Sequence, residues 1–289
     1  MGDSVEFDVV VVGSCNLDLV STTTHLPSPG ETIRAVAYAK HAGGKGLNQA
    51  VACARMGART AFIGCVGNDT AGTMLRELLN SEGIDTSQLV TVDAPTGRAF
   101  ITVDASGENT IVIVAGANAH VGKTAITVPS SKVLLAQLEI PLDVVTQIFA
   151  QAQNAITVLN PAPAAEIPNE LLSLCDIAVP NETESEAMGG TKYLLGSGVN
   201  TVITTLGERG AEISDATSTT AVAPYPIPAI DTVGAGDAFV GALCAEIARG
   251  ADIQSAAQIA SLAGALATTV RGAVPSLPTQ AAVMSLYAD

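Results

Sequence analysis

The sequence predicts an α/β protein: a central, mostly parallel sheet flanked by helices in three layers. Short β-branched apolar runs alternate with helix-length segments along most of the chain, which is the signature of a parallel sheet covered on both faces. Glycines and prolines punctuate the ends of those segments, where turns are needed. With 289 residues, 48% of them hydrophobic, the chain can bury a large core.

Residues 7–13 read as a buried strand ending in glycine, and 47–56 as a helix that stops at Gly57. Strand 59–66 and helix 70–81 follow, the latter with Gly83 past its end. Two alternating runs, 97–104 and 109–115, flank Ser106-Gly107-Glu108 and predict an antiparallel hairpin. Strands at 132–138, 155–160, 176–179 and 201–206 then alternate with helices at 143–152, near 168–174 and from Glu182. Two short strands are expected within 210–223. Two long helices close the pattern at about 235–249 and 252–268, the second capped by Asp252. No repeat or linker interrupts this order, so residues 1–289 read as one domain.

Net charge is −15, with only 13 Lys and Arg, which argues against nucleic acid or an anionic membrane as partner. No long apolar span predicts a transmembrane helix, and the acidic start 1–8 lacks the basic region of a secretory signal. The five cysteines are dispersed among apolar neighbours and read as buried free thiols of a reducing cytoplasm. The three histidines form no metal-ligand spacing. With so few cations, a phosphorylated ligand must be neutralised by backbone N–H groups and metal ions.

The most informative stretch is Asp231-Thr-Val-Gly-Ala-Gly-Asp237, which runs into the first long helix. Free N–H groups at a helix start form an anion site. A carboxylate inside that site repels a phosphate but can take a proton from a hydroxyl that attacks one. The turn therefore reads as a phosphoryl-transfer centre, with an ordinary Asp cap as the alternative. A second glycine-rich helix entry, Ala42-Gly-Gly-Lys-Gly-Leu-Asn48, allows close backbone approach and offers donors from Lys45 and Asn48; alone, it is equally a turn. The run Gly116-Ala-Asn-Ala-His-Val-Gly122-Lys-Thr124 imitates a phosphate-binding P-loop. Its glycine spacing is one residue too long, and Pro129 leaves no room for the helix that must follow.

Three carboxylates in Asn181-Glu-Thr-Glu-Ser-Glu186 read either as dipole complements or as an oxygen-only patch for hydrated Mg²⁺, with Asn181 and Glu184 on one helix face. Gly207-Glu-Arg-Gly210 is a tight turn between strands; on its own it reads as structural, with a flat adenine or its phosphates lying against the backbone as the alternative. In a parallel sheet, ligands bind beyond the carboxyl ends of the strands. Asn16, Asp18, Glu139, Asn181 and Thr205 all follow or end predicted strands.

In this order the pieces resemble the ribokinase family of carbohydrate kinases, the PfkB family, over nearly the whole chain. Early carriers are Gly13-Ser-Cys-Asn-Leu-Asp18, Pro29-Gly-Glu-Thr32, Gly43-Gly-Lys-Gly-Leu-Asn-Gln49, Ala115-Gly-Ala-Asn118 and Gln137-Leu-Glu-Ile-Pro141. Later carriers are Leu159-Asn-Pro-Ala-Pro163, Pro180-Asn-Glu-Thr-Glu184, Thr205-Leu-Gly207, the Asp231 to Asp237 run and Gly272-Ala-Val-Pro-Ser276. The resemblance implies a small β-sheet lid from about 17–40 and 96–115, and a homodimer paired through it.

It implies ATP-dependent phosphorylation of a sugar, D-ribose at its 5-hydroxyl. A kinase acting on 2-deoxyribose or a nucleoside, or a non-catalytic sugar-binding protein, are the alternatives. By resemblance, Asp237 is the base, and the N–H groups of Ala235, Gly236 and Asp237 form the anion hole. Asn16, Asp18, Gly43, Gly44, Lys45, Asn48 and Glu139 hold the sugar. Asn181, Thr205, Gly207, Gly210 and Gly236 hold ATP, with Ser261 near the adenine. Glu184 orders Mg²⁺ through water. K⁺ is held by the Asp231 carboxylate, the carbonyls of Val233, Ala267, Val270 and Gly272, and Ser276. Between Glu186 and Asn200 the chain is shorter than the family pattern, which implies a truncated helix there.

Overall fold

The computed structural model describes residues 6–152 and 154–287. The start of the acidic stretch considered above, 1–5, lies outside them. The valine run of β1 (Phe7–Val12) crosses a three-residue link into β2 (Asn16–Thr22), and β3 (Ala37–Gly43) returns antiparallel to β2. Then come α1 (Lys45–Arg55), β4 (Thr60–Gly67), α2 (Thr70–Ser81), β5 (Leu89–Val92) and the hairpin β6 (Gly97–Val103) and β7 (Asn109–Val114). The strand–helix alternation follows as β8 (Ser131–Gln137), α3 (Leu142–Ala150), β9 (Ile156–Asn160), α4 (Asn169–Leu172), β10 (Ile177–Ala178), α5 (Glu182–Ala187), α6 (Thr191–Gly196) and β11 (Thr201–Thr205). Two short strands, β12 (Ala211–Ser214) and β13 (Thr219–Val222), precede α7 (Ala235–Arg249), α8 (Ile253–Ala267), α9 (Ala273–Ser276) and α10 (Gln280–Tyr287).

Among the described residues, one nine-stranded sheet runs β13-β12-β11-β10-β9-β8-β1-β4-β5. Pairing is parallel from β11 through β5 and antiparallel for β12 and β13. The period-two alternation of β1 sorts its side chains onto the two faces. Val9 and Val11 join the core beneath α1, α7 and α8, whereas Val10 and Val12 join the core beneath α3 and α4. A separate four-stranded sheet, β3-β2-β6-β7, forms the lid. It differs from the expected lid only at its base, since β2 starts at Asn16 and β3 runs to Gly43.

The strand β5 and the helices α9 and α10 have no counterpart in the sequence reading, because each is too short to establish a period. The α6 helix occupies the shortened 186–200 region, anchored by the buried Leu194. The P-loop mimic folds as a 3₁₀ turn at Gly116–His120, and no helix separates it from β8. No described helix is long and apolar enough to cross a membrane.

Two contacts tie the site-bearing helices together. At Gly241, α7 lies so close to α1 that a Cβ would meet the Ala52 side chain and stand 3.0 Å from the Cys53 nitrogen. At the same C-terminal end of α1, Arg55 pairs with Glu82 at 2.6 Å and donates to the carbonyls of Val274 and Leu277, both at 2.8 Å. We expect Gly241→Val to force α1 and α7 apart and to lower stability by about 1–3 kcal/mol, as overpacking does. Urea denaturation checks this, and an unchanged midpoint would show that the two helices are not in fixed contact.

Candidate active site

The start of α7 is built on Gly234, whose φ of 83° is open to glycine. A Cβ there would also stand 3.0 Å from the Ala273 Cα and 3.2 Å from the Ser276 hydroxyl. Asp231 holds the approach to this turn. Its carboxylate accepts from the Val233 N–H at 3.0 Å and the Gly272 N–H at 2.9 Å. The Thr268 carbonyl accepts from the N–H groups of Ile230 and Asp231. The Ser276 hydroxyl donates to the Ala273 carbonyl at 2.7 Å and stands 3.5 Å from that of Val233. One respect differs from the expected anion hole. The Ala235 N–H turns back to the Thr232 carbonyl at 3.2 Å, so Gly236 and Asp237 are left to open the helix.

Asp237 is buried in the first turn of α7, and both its oxygens are clasped from α1. The Asn48 amide donates to Oδ2 at 2.8 Å and the Gln49 amide to Oδ1 at 2.9 Å. Asn48 Oδ1 is buried with no hydrogen-bond partner, an acceptor left open. The start of α1 gathers a second carboxylate: Glu139 Oε2, just past β8, accepts from the Ser14 hydroxyl at 2.5 Å and from the Lys45 N–H at 3.1 Å. Two helix N-termini thus converge, each with one carboxylate.

The third carboxylate comes from the lid. Asp18 on β2 packs against Gly43, and any Cβ on Gly43 would collide with it. Next to it, Asn16 Oδ1 accepts from Asn118 Nδ2 at 2.7 Å, and Asn118 Oδ1 accepts from the Cys15 N–H at 3.0 Å. The residues expected at the sugar, namely Asn16, Asp18, Gly43, Gly44, Lys45, Asn48 and Glu139, are therefore assembled at one place beside Asp237.

The residues expected at the nucleotide gather past the ends of β10 and β11, at the start of β12 and on α8. Asn181 and Thr205 are bridge partners. Gly207 and Gly210 bound a short 3₁₀ turn at φ of 60° and 86°. Gly210 abuts the 222–224 backbone, and Ser261 on α8 reaches the same segment, 3.4 Å from the Ala223 carbonyl. Asn181 and Glu184 do share a face, as a reciprocal capping box. The Asn181 side chain accepts from the Glu184 N–H, and the Glu184 carboxylate accepts from the Asn181 N–H. Glu182 pairs with Arg209 at 2.6 Å, so the three carboxylates are not an undivided patch. Among the described residues, no cluster of three or more His, Cys, Asp or Glu side chains is disposed to hold a metal.

Sequence reasoning missed the residues that position these groups: Ser14, Gln49, Asn118, Gln137 and Asn160. One signal was available for Gln137 and Asn160. Each is a polar residue ending an otherwise apolar buried strand, at the carboxyl edge where ligands bind.

The chain matches the description pfkB family carbohydrate kinase over residues 6–280. It is 40% identical over 294 residues to a ribokinase of Staphylococcus aureus, covering 93% of this chain and 96% of that protein. It is 37% identical over 300 residues to a bifunctional ribokinase/ribose-5-phosphate isomerase A of Fructilactobacillus sanfranciscensis. That match takes in 96% of this chain but only 56% of the relative, a little over half its length. The solved structure of Arabidopsis thaliana ribokinase complexed with ribose and ATP matches at a TM-score of 0.88 and 30% identity, covering 97% of this chain and 98% of that one.

Burial, reinforced by the nearby carboxylates of Glu139 and Asp237, pushes the Asp18 carboxyl up to about 7. The unfolded chain loses this proton near 3.8, so between these values the unfolded state binds fewer protons and stability falls as pH rises. Above about 7 the cost is complete. Asp18→Asn has no charge to bury. We expect it to melt about 5 °C or more above the wild type at pH 8, with the difference gone by pH 4. Melting curves across pH read this directly, and coincident wild-type and variant curves would refute it.

Proposed function

The chain belongs to the pfkB family of carbohydrate kinases, and on that footing we propose that it transfers the γ-phosphoryl group of ATP to the 5-hydroxyl of D-ribose. Asp237 carries this reading: a buried carboxylate in the first turn of α7, oriented by Asn48 and Gln49 and adjoining the Gly236 N–H. In the reaction, the 5-hydroxyl proton passes to Asp237 as the O5–phosphorus bond forms. The bond from phosphorus to the β,γ-bridging oxygen breaks, and that oxygen leaves with ADP. The N–H groups of Gly236 and Asp237 face the developing negative charge, with Ala235 joining them if its bond to Thr232 opens. Asp18 accepts from two sugar hydroxyls, and Asn16, Lys45, Asn48 and Glu139 complete the ring of contacts. Gly43 and Gly44 admit the sugar against the backbone. ATP lies along Asn181, Thr205, Gly207 and Gly210, with Ser261 at the adenine end.

Two metal ions complete the reading. Around the Asp231 turn, the donors are all oxygen: one carboxylate, the carbonyls of Val233, Ala267, Val270 and Gly272, and the Ser276 hydroxyl. This set fits a hard monovalent cation such as K⁺. The cation would add positive charge beside the N–H donors of α7. Glu184, half-buried in its capping box, fits a contact to Mg²⁺ through water, where the ion would neutralise ATP phosphates. We assign residues 1–289 to one kinase domain with its lid at about 17–40 and 96–115, and the protein to the cytoplasm, in keeping with five buried free cysteines.

The lid also supports a homodimer. Phe100 and Val112 are register partners on one face, Ala99 and Ile113 on the other, and Phe100, Val112 and Ile113 are each about half exposed or more. An edge strand this apolar on both faces calls for a cover.

Purified protein should phosphorylate ribose in preference to 2-deoxyribose, adenosine and fructose, and K⁺ should stimulate it. The 2-deoxyribose discrimination should be about 10²-fold in kcat/KM, because a site that hydrogen-bonds a hydroxyl is left unpaired without it. Asp237→Asn should lose about 10²–10⁴-fold in kcat while retaining sugar binding. Comparable turnover of 2-deoxyribose or a nucleoside would move the substrate assignment to that compound. In light scattering, the wild type should be a dimer and the double variant Val112→Asp/Ile113→Asp a monomer; a monomeric wild type would remove the lid from the assembly.

A further inference from the structure

A chain of buried amides leads from Asp237 into the sheet. Gln137 Nε2 donates to Gln49 Oε1 at 2.6 Å. Gln49 Nε2 donates to Asp237 Oδ1 and to Asn160 Oδ1, both at 2.9 Å. Asn160 Nδ2 donates to the Val179 carbonyl at 2.7 Å. Gln49 and Gln137 are 0% exposed and Asn160 7%.

An amide side chain can be turned end for end, so its orientation needs an argument from its partners. One partner here is unambiguous. A backbone carbonyl only accepts, so the Asn160 NH₂ must face Val179 and its oxygen must face Gln49. Gln49 must then present its NH₂ to Asn160 and Asp237, and its oxygen to the Gln137 NH₂. Reversing Gln49 would set its oxygen against both the Asp237 carboxylate and Asn160 Oδ1. The Val179 carbonyl, just past β10, therefore fixes, through two amides, the direction of the donor on Asp237.

We propose that Gln49 is a positioning residue for Asp237, locked in its donor orientation by Asn160 and Gln137. The proposal rests on Asp237 being the base. Its neighbour Asn48 also grips Asp237 but keeps a buried, unpartnered oxygen, which the proposed function gives to the sugar. Asn48 therefore serves binding and orientation together. Gln49 is sealed from the pocket, so it acts on the reacting proton only through Asp237. Its loss separates kcat from sugar affinity. Without the Gln49 donor, the carboxylate keeps one anchor, at Oδ2, and can rotate out of line with the 5-hydroxyl.

The experiment compares wild type, Gln49→Met, Gln137→Met, Asp237→Asn and the double variant Gln49→Met/Asp237→Asn. The readouts are kcat and KM for ribose, ribose Kd by calorimetry, and Tm. We expect Gln49→Met to lower kcat about tenfold or more, as loss of a charge-assisted donor does, with ribose Kd within about threefold of wild type. Gln137→Met should give the same pattern more weakly, because it removes the bond that holds the oxygen end of Gln49 while Asn160 and Asp237 keep the other. In the Asp237→Asn background, Gln49→Met should cost no further kcat, since there is no carboxylate left to hold. A Gln49→Met enzyme with wild-type kcat and only a lowered Tm would overturn the proposal, as would a fully additive loss in the double variant. If Gln49→Met does not fold, Gln137→Met decides: a kcat loss at unchanged ribose Kd supports the proposal, and wild-type kcat overturns it. An active Asp237→Asn enzyme would instead refute the base itself, a failure distinct from that of Gln49.

Discussion

The hold of α1 on the Asp237 carboxylate is the interaction on which the rest of this site depends. Adjacent residues of one helix, Asn48 and Gln49, reach the two oxygens of a side chain on another. That works only if the helices are in fixed register, and the glycine contact at Gly241 brings α7 against Ala52 and Cys53, a few residues further along α1. Close packing therefore sets the angle of a carboxylate that is buried and has few alternative partners. The sheet contributes in the same way, since β8 and β9 end in the polar residues that brace Gln49.

Around that clasp the site gathers negative charge in a protein already rich in it. Asp18, Glu139 and Asp237 come close enough that two of them raise the proton affinity of the third. Such crowding costs stability in the ligand-free protein, and the proposed function gives it a purpose, since sugar hydroxyls are donors that need acceptors. The positive side of the balance comes from helix N-termini and backbone N–H groups more than from side chains, as a chain with 13 Lys and Arg requires.

Much of this was legible in the sequence, for physical reasons that differ by element. The parallel sheet announced itself because strands buried on both faces must be apolar throughout, as in Val9 to Val12. The α7 turn was legible because a left-handed position such as Gly234 demands glycine. The short helices α9 and α10 were not, since stability in such pieces comes from packing rather than from any local period. Nor was the state of individual groups. Composition places three carboxylates near Asn181, but only coordinates show Glu184 closed into a capping box, Glu182 paired to Arg209 and the Ala235 N–H turned to Thr232. Gln49 stood inside a motif, but its role depends on Gln137, Asn160 and Val179, which are far from it in sequence.

That distance along the chain has a consequence for how the molecule comes into being. The bond from Asn48 to Asp237 closes a separation of 189 residues, and the grip of Arg55 on the Leu277 carbonyl one of 222. Contacts so remote in sequence form late in folding, after local elements and neighbouring strands have condensed, because closing a long loop costs entropy before it returns anything. During synthesis, β1 through β9 can assemble while the ribosome still holds the segment that becomes α7. The pocket for the sugar then exists in outline before the group that would act on it has been made, and the chain gains its chemistry in one of its last steps.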